Sequence, residues 1–461
     1  MTALLGITDA NRKWWILAAT GGSLGLVLLD EGMFLALPTI RDELGLSEVV
    51  TQWIVNAYVL TLTVTVAAAG RLGDIIGHRP VFVAGAATLA AGSVVVAVAQ
   101  DSELLLAGRA IQGLGTAGIL SLGVSMTGIA FAEHERGVAL GLYGLIGAGS
   151  AAVSPFIGGL LTDEASWRWI PILNIPFAVA LIAIVAVAWR EPKPDSARAS
   201  FDAPGLALLL AILVPLVVAL MQSPVWGWGS PAVISLLVVS ALSLVAFVRV
   251  ERRAKSPLID LELLRQPTVL GANTVVACAQ FSVLTVLVFG SIYLQDRLGM
   301  SALLAGTALL AAVVPSAFTS VLAGQLTDRY GSRTPALAGT AASFLSLVWI
   351  AFLIPVDTYM LLVPGLLVWG LALSFLFTPA QTAVMNAVPA QKRGEVAGIQ
   401  TTGRQLGGTL AVAILGSILV TTDSFGAVFA IAAGVTFAVF IAAFLTIRPR
   451  DQGAVASEPA D

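Results

Sequence analysis

Sulfur ligands, imidazoles and charge are what this chain has least of. It carries one cysteine, Cys278, and two histidines, His78 and His134, in 461 residues. A single thiol excludes an internal disulfide framework and a thiolate metal site. The two imidazoles stand in short polar stretches without ligand spacing, so no metal, nucleotide fold or nucleophile triad is expected. Charged residues make up 11% of the chain, against about 25% in a soluble domain. The net charge of −3 supplies no basic field to hold nucleic acid. Apolar sequence takes the place of charge: 57% of residues are hydrophobic and the mean hydropathy is +0.93. These totals describe a polytopic membrane protein.

Apolar runs long enough to cross a bilayer lie at about Trp14–Leu37, Val50–Ala69, Val81–Ala99, Leu104–Phe131, Gly137–Leu161, Trp167–Trp189 and Pro204–Met221. Seven more follow at Pro231–Val250, Val269–Leu294, Ala302–Gly324, Pro335–Ile354, Tyr359–Ala387, Val396–Val420 and Phe425–Ile447. The count is fourteen. The first run has no small-residue cleavage site after it and exceeds a signal-peptide core, so it is expected to stay as a signal anchor. With a cytoplasmic N-terminus, nineteen of the 24 basic residues fall in inside loops and tails. Only Arg41, Arg168 and Arg297 fall outside, and Arg109 and Arg404 lie within spans. That bias follows the positive-inside rule and predicts that both termini are cytoplasmic. Four lysines beside 20 arginines suggest a GC-rich bacterial genome, and hence an inner membrane. Trp14, Trp15, Trp167, Trp226 and Trp228 read as interfacial-belt residues.

Two motifs recur at nearly one offset. GRLGDIIGHR (Gly70 to Arg79) and GQLTDRYGSR (Gly324 to Arg333) share GxLxDxxGxR, and RGVALG (from Arg136) and RGEVAG (from Arg393) share RGxxxG. Both repeats shift by eight spans. Two six-helix bundles separated by two inserted helices give that shift, with boundaries at 1–190, 191–265 and 266–461. In each ten-mer the glycines suit a tight turn and the acid, Asp74 or Asp328, suits a neighbouring helix N-terminus. Arg79, Arg136, Arg333 and Arg393 are expected to pair across the halves on the inside, latching an outward-open state.

The first span contains LLDEGMFLALP, in which Asp30 and Glu31 stand side by side in apolar sequence. An intramembrane acid costs about 2.5–3.5 kcal/mol on insertion scales, so it calls for a partner and a function. Counting ~1.5 Å per residue from the outer surface puts Asp30 ~10 Å deep and Arg109 ~9 Å deep. A buried acid beside an arginine forms a site able to alternate between protonated and ionised forms. Gln112 and Thr116 extend the Arg109 stripe and are expected to line water. Adjacent helix positions point ~100° apart, so only one of the two acids is expected to face a cavity squarely. Further cavity candidates are Asn56 with Thr63, Asn273 with Gln280, Gln400 with Arg404, and Trp369 with Phe377.

These stretches resemble the fourteen-helix drug:proton antiporters of the major facilitator superfamily. LLDEGMFLALPTI resembles that branch's helix-1 acid motif, with Asp30 at the acid. GRLGDIIGHR resembles the superfamily's loop motif at Gly70, Asp74, Gly77 and Arg79. RAIQGLGTA resembles the helix-4 motif, whose arginine here is Arg109. SWRWIPILNIP (Ser166 to Pro176) and TTGRQLGG (Thr401 to Gly408) resemble further signatures of the branch. The helix-5 antiporter motif matches at Gly141, Ser150, Ser154, Pro155, Gly158 and Gly159, with serines replacing two glycines. Leu35 stands where the branch often has a polar residue. Leu366 stands where a second-half counterpart of Arg109 would lie, so proton coupling is expected in the first half.

The resemblance implies an all-α integral membrane fold of 6+2+6 helices and alternating-access export of hydrophobic or cationic amphiphilic drugs. It implies a proton gradient in place of a cofactor, no enzymatic activity, contact with membrane lipid and no nucleic acid, and a monomer. A proton-coupled importer of a small metabolite and an exporter of lipid or cell-envelope precursors are the alternatives. The short loops Gln295–Ser301 and Thr421–Ser424 speak against the second.

Overall fold

The computed structural model describes residues 7–132, 135–191, 201–254, 257–389 and 392–447. His134, Lys193, Arg198, Lys255, Arg448 and Arg450, with most of the linker between Arg190 and Asp202, lie outside the described residues. Every regular element among the described residues is helical. In chain order they are α1 (Arg12–Asp30), α2 (Met33–Leu44), α3 (Glu48–Ile76), α4 (His78–Val98), α5 (Ser102–Ala130), α6 (Arg136–Glu164), α7 (Trp169–Ala188), α8 (Ala203–Trp226) and α9 (Pro231–Glu251). There follow α10 (Leu261–Leu264), α11 (Pro267–Leu284), α12 (Gly290–Asp296), α13 (Ala302–Tyr330), α14 (Arg333–Leu353), α15 (Tyr359–Ala387), α16 (Arg393–Thr422) and α17 (Phe425–Thr446). Thirteen spans are long and apolar enough to cross a membrane, and the bent pair α1–α2 makes the fourteenth. Polar caps start many of them: Ser47 accepts from Val50 N at 3.4 Å, Asp101 from Leu104 N at 2.8 Å and Ser301 from Leu304 N at 3.3 Å.

The first span is not the single helix expected for Trp14–Leu37. It bends by 40° between α1 and α2. At the bend, i to i+3 bonds replace the regular ladder: Gly32 N donates to Leu29 O (3.0 Å), Phe34 N to Glu31 O (3.0 Å) and Leu35 N to Gly32 O (3.1 Å). The cause is a crossing with α6. A Cβ on Gly158 would stand 2.3 Å from Gly32 O, so the two backbones touch and leave no room for side chains. In the second half, the span Pro267–Asp296 is interrupted by a π-helical segment, Thr285–Phe289. Both halves thus begin with a span irregular at mid-depth, where the chain can flex.

For convenience the two ends of the bundle are called the Gly45 face and the Gly77 face. At the Gly45 face the halves are joined. One apolar cluster runs from Phe34, Leu37 and Ile40 through Phe289 and Leu309 to Leu415 and Phe429. Arg41 forms a two-pronged pair with Asp296 (2.7 and 2.9 Å), Ser291 Oγ donates to Phe34 O (3.1 Å), and Gln295 Nε2 donates to Leu35 O (3.0 Å). Asp163 at the end of α6 accepts from Ala302 N and Leu303 N at the start of α13. Gln52 on α3 donates to Gly416 O on α16 (3.3 Å), and Thr63 meets Thr409 at 2.9 Å near mid-depth.

At the Gly77 face the halves part. The apolar side chains there divide into one cluster around Phe82, Leu122 and Leu181 and another around Val276, Ala336 and Val384. A Cβ on Gly137, Gly141 or Gly144 of α6 would meet nothing within 4 Å beyond its own helix. The molecule is closed at one end and open at the other. Helices α8 and α9 pack on each other, and α8 leans on α3 and α16. Trp167, expected in an interfacial belt, is instead 1% exposed and donates from Nε1 to Glu43 Oε2 at 2.8 Å.

The repeated ten-mers are less loop-like than expected. Gly70 to Ile76 continue α3, and the turn is concentrated at Gly77 (φ 102°), as it is at Gly331 (φ 75°) in the second half. Asp74 does not cap α4; it is exposed, 4.0 Å from Arg71. The N-terminus of α4 is capped by Glu191, which accepts from His78 N (2.8 Å) and Arg79 N (2.9 Å). Burial opposes ionisation of Glu191, but these N–H donors outweigh it and hold its carboxyl below the usual range.

Removing the partly exposed Arg41–Asp296 pair with Asp296→Ala withdraws about 0.5–1 kcal/mol from the joined face, roughly a two- to fivefold shift toward its opening. Leu35 is 1% exposed there. In a Cys278→Ser background, Leu35→Cys is expected to react with an impermeant maleimide faster by that factor once Asp296 is removed. Unchanged labelling would show that the pair does not hold the gate.

Candidate functional site

Asp30 is the last residue of α1, where the negative end of the helix dipole makes a carboxylate unfavourable. The compensation comes from three other helices. Arg109 Nη1 on α5 donates to Asp30 Oδ2 at 2.7 Å and to Gln112 Oε1 at 2.9 Å. Gln112 Nε2 donates to Ser93 Oγ on α4 at 2.8 Å. Asn174 Nδ2 on α7 donates to Asp30 Oδ1 at 2.8 Å, and approaches the same Ser93 Oγ at 3.3 Å. The five side chains close a ring in which none is more than 4% exposed. Arg109 Nε is held by Ile54 O at 3.0 Å, and its guanidinium lies 4.4 Å from the centre of the Tyr58 ring on α3. Tyr58 in turn bonds Thr116 at 3.2 Å. A Cβ on Gly92 would stand 2.6 Å from Gln112 N, so glycine is what lets α4 bring Ser93 to the ring. A cavity of about 270 Å³ between α1, α6 and α7 reaches Asn174, but its other lining is apolar, Leu29, Ile157 and Phe177 among it.

Glu31 points elsewhere. It is deep in the molecule yet partly accessible, and it lies within electrostatic reach of Arg404 on α16 without forming an ion pair. Arg404 Nε donates to Gln280 Oε1 on α11 at 2.9 Å, and its guanidinium stands 5.0 Å from the centre of the Phe377 ring on α15. Two acids neighbouring in sequence therefore serve two environments: a closed ring within the first half, and a cleft between the halves.

Several expectations need correction. Gln112 is wholly buried in the ring and does not line the substrate cavity, and Thr116 is equally buried, so that stripe faces protein and not water. Asn56 is wholly buried and donates to Met221 Sδ on α8 at 2.9 Å, away from the cleft. Trp369 is 1% exposed in the apolar cluster, its Nε1 without a partner. Asn273 and Gln280 are buried on α11, and of these Gln280 contacts Arg404. Ser93, Asn174 and Glu191 were not singled out beforehand. Asn174 lies within the quoted SWRWIPILNIP stretch, and a lone amide in a span as apolar as Trp169–Ala188 is the signal that could have found it.

The helix-5 motif faces two ways. Ser150, Ser154 and Gly158 meet α1 and the bend: a Cβ on Gly25 would stand 2.7 Å from Ser150 Oγ, and Ser154 Oγ donates to Leu29 O at 3.2 Å. That last bond satisfies a carbonyl at the helix break, which a glycine could not do. Pro155 and Gly159 meet α13 at Gly306 and Ala302. A Cβ on Gly141 would meet nothing within 4 Å beyond its own helix. On the Gly77 face, Arg136 reaches Phe131 O, Arg333 reaches Phe444 O and Arg393 reaches Met385 O, each within its own half. Arg79 is exposed and Asp328 is exposed. The expected pairing across the halves is not among these contacts, in keeping with a Gly77 face that stands open.

The Major Facilitator Superfamily profile matches residues 20–412. The chain is 31% identical over 405 residues to Multidrug resistance protein Stp of Mycobacterium tuberculosis, covering 87% of this chain and 75% of that protein. It is 32% identical over 415 residues to Puromycin resistance protein pur8 of Streptomyces alboniger, covering 88% and 82%. The fold superposes on the crystal structure of an auto-inhibited POT family peptide transporter with a TM-score of 0.70 at 14% identity, covering 98% and 99% of the two chains. With the human organic anion transporter MFSD10 the TM-score is 0.62 at 15% identity, covering 94% and 99%. A bent first span carrying a buried acid, paired bundles and one joined face are thus the features of a membrane transporter. This chain belongs to the Major Facilitator Superfamily.

Ser93 Oγ receives two donors of the ring, so Ser93→Ala leaves buried amide N–H groups unpaired, at a cost of about 1–3 kcal/mol. Thermal unfolding of the purified protein is expected to fall by several degrees. An unchanged midpoint would show that the ring does not hold α4 and α7 to Asp30.

Proposed function

We propose that this protein is a proton-driven exporter of hydrophobic or cationic amphiphilic drugs, working by alternating access. The observation that carries the reading is the buried ring at Asp30, one residue from the cleft acid Glu31 and beside a helix bend. The names of the relatives, which concern multidrug and puromycin resistance, support the same cargo class.

The chain has few places for charge in the membrane, and the cycle rests on them. Asp30 and Glu31 are close enough to repel each other. A positive charge brought to Glu31 by cargo lowers the attraction of the pair for a proton, and a proton on the pair lowers its attraction for the cargo. Such mutual exclusion is a coupling free energy, and it is reciprocal. Because Asp30 is enclosed, the competition runs across two adjacent carboxyls and not at Asp30 alone. Protonating Asp30 also frees Arg109 and Asn174, which loosens the hold on the bend and lets the halves rock.

The basic residues collect at the Gly77 face, so that face is read as cytoplasmic, with both termini on that side of a bacterial inner membrane. The open face then admits cargo from the cytoplasm. The proton gradient supplies the energy in place of a cofactor, and the protein acts as a monomer in lipid, without enzymatic chemistry.

In inverted vesicles with an imposed pH gradient, the wild type is expected to move an amphiphilic dye in the direction of export. Asp30→Asn is expected to reduce proton-driven flux to background while the variant still binds dye. Normal coupling in Asp30→Asn would refute the assignment, and flux in the opposite direction would make the protein an importer.

A further inference from the structure

The cleft between the halves presents an acid, Glu31, and a guanidinium, Arg404, that form no ion pair. We propose that it is shaped for a zwitterionic amphiphile, whose acidic group is taken by Arg404 and whose ammonium is taken by Glu31. This rests on the exporter reading above and revises its cargo from a cation to an amphiphile that carries both charges.

Arg404 uses one of its donors. Nε is engaged by Gln280 Oε1 at 2.9 Å, and the Phe377 ring 5.0 Å away fixes the plane of the guanidinium. Both Nη groups have no protein acceptor among the described residues, so the fork that matches a carboxylate is left open. The Glu31 carboxyl accepts no hydrogen bond and belongs to no ion pair among the described residues. The two lie on opposite halves, within electrostatic reach of each other. Neither the Glu31 carboxyl nor the Arg404 fork has a partner of opposite charge at hydrogen-bond distance among the described residues, and a ligand bridging the two supplies both.

A purely cationic cargo satisfies Glu31 but faces repulsion from Arg404, and a purely anionic cargo meets the reverse. A zwitterion satisfies both and adds no net charge to the cleft. Further polar capacity lies on the same two helices. Asn273 Oδ1 on α11 and Gln400 Nε2 on α16 are buried, at 7% residue exposure each, without a partner. They stand seven residues before Gln280 and four before Arg404, on the sides that carry those residues. Because the two charges belong to different halves, a bridging ligand also reports on how far apart the halves stand.

The test uses the full-length protein in nanodiscs and three probes of similar size: O-benzyltyrosine, O-benzyltyramine and N-acetyl-O-benzyltyrosine, which are zwitterion, cation and anion at neutral pH. Equilibrium binding at neutral pH is expected to favour the zwitterion over either relative by roughly tenfold, the value of one charge-assisted hydrogen bond. Arg404→Gln is expected to reduce the zwitterion to the affinity of the amine, and Glu31→Gln to that of the N-acetyl derivative. The wild-type ranking needs no variant. An amine that binds as tightly as the zwitterion overturns the proposal, as does an equal loss for all three probes in both variants. Proton-driven flux is measured in parallel. Zwitterion preference without such flux overturns the exporter reading alone, and flux of the amine without zwitterion preference overturns this inference alone.

Discussion

One buried ion pair, Asp30 with Arg109, sets the terms for the rest of the molecule. Neither member is tolerable alone at that depth: removing one partner of such a pair costs about 3–5 kcal/mol, because the other is left buried and uncompensated. The pair therefore draws in Gln112, Ser93 and Asn174, and with them α4, α5 and α7. Tyr58 and the Ile54 carbonyl tie in α3. The first half is organised around a charge that a proton can cancel. The second half has Leu366 at the position matching Arg109, buried in apolar packing. On the proposed reading, that asymmetry gives proton handling to one half and leaves the other, through Arg404, to face cargo.

The bend at Glu31 and Gly32 is what allows one ring to affect the whole bundle. Its backbone is held by Ser154 and by the contact between Gly32 and Gly158, and residues just beyond it, Phe34 to Ile40, enter the joined face. Lipid-facing side chains contribute little to that closure, since hydrocarbon is as apolar as protein. The gate side chains differ, because opening exposes them to water. Each of Phe34, Leu37 and Leu415 then forgoes about 1.5–3 kcal/mol of burial. Apolar closure of that size, set against a few polar clasps, makes two discrete states and not a continuum.

Much of this was legible in the residues. Asp30 and Arg109 stood out because charges are rare in spans and shared one depth, and the repeats located the two halves. The bend was not legible, because a single glycine in an apolar run has many uses and the crossing with α6 is a tertiary fact. Ser93 and Asn174 were hidden because uncharged polar residues in spans commonly serve as interhelical contacts. The C-terminal ends of α3, α6 and α13 lie beyond the apolar runs because hydropathy marks the hydrocarbon and not the helix. Thus the first part of each ten-mer proved helical, and the cap expected from Asp74 came from Glu191, a residue distant in sequence. Gln112 and Asn56 were assigned to the cavity by helical spacing, which gives a shared face but not what that face meets.

The central claim is that proton and cargo exclude one another at the adjacent acids Asp30 and Glu31. It is tested most directly by following proton release from the purified protein, in weak buffer with a pH indicator, as saturating amphiphilic cargo is added. The account predicts release on binding by the wild type and none by the Asp30→Asn, Glu31→Gln double variant. Undiminished release from a double variant that still binds cargo would contradict it.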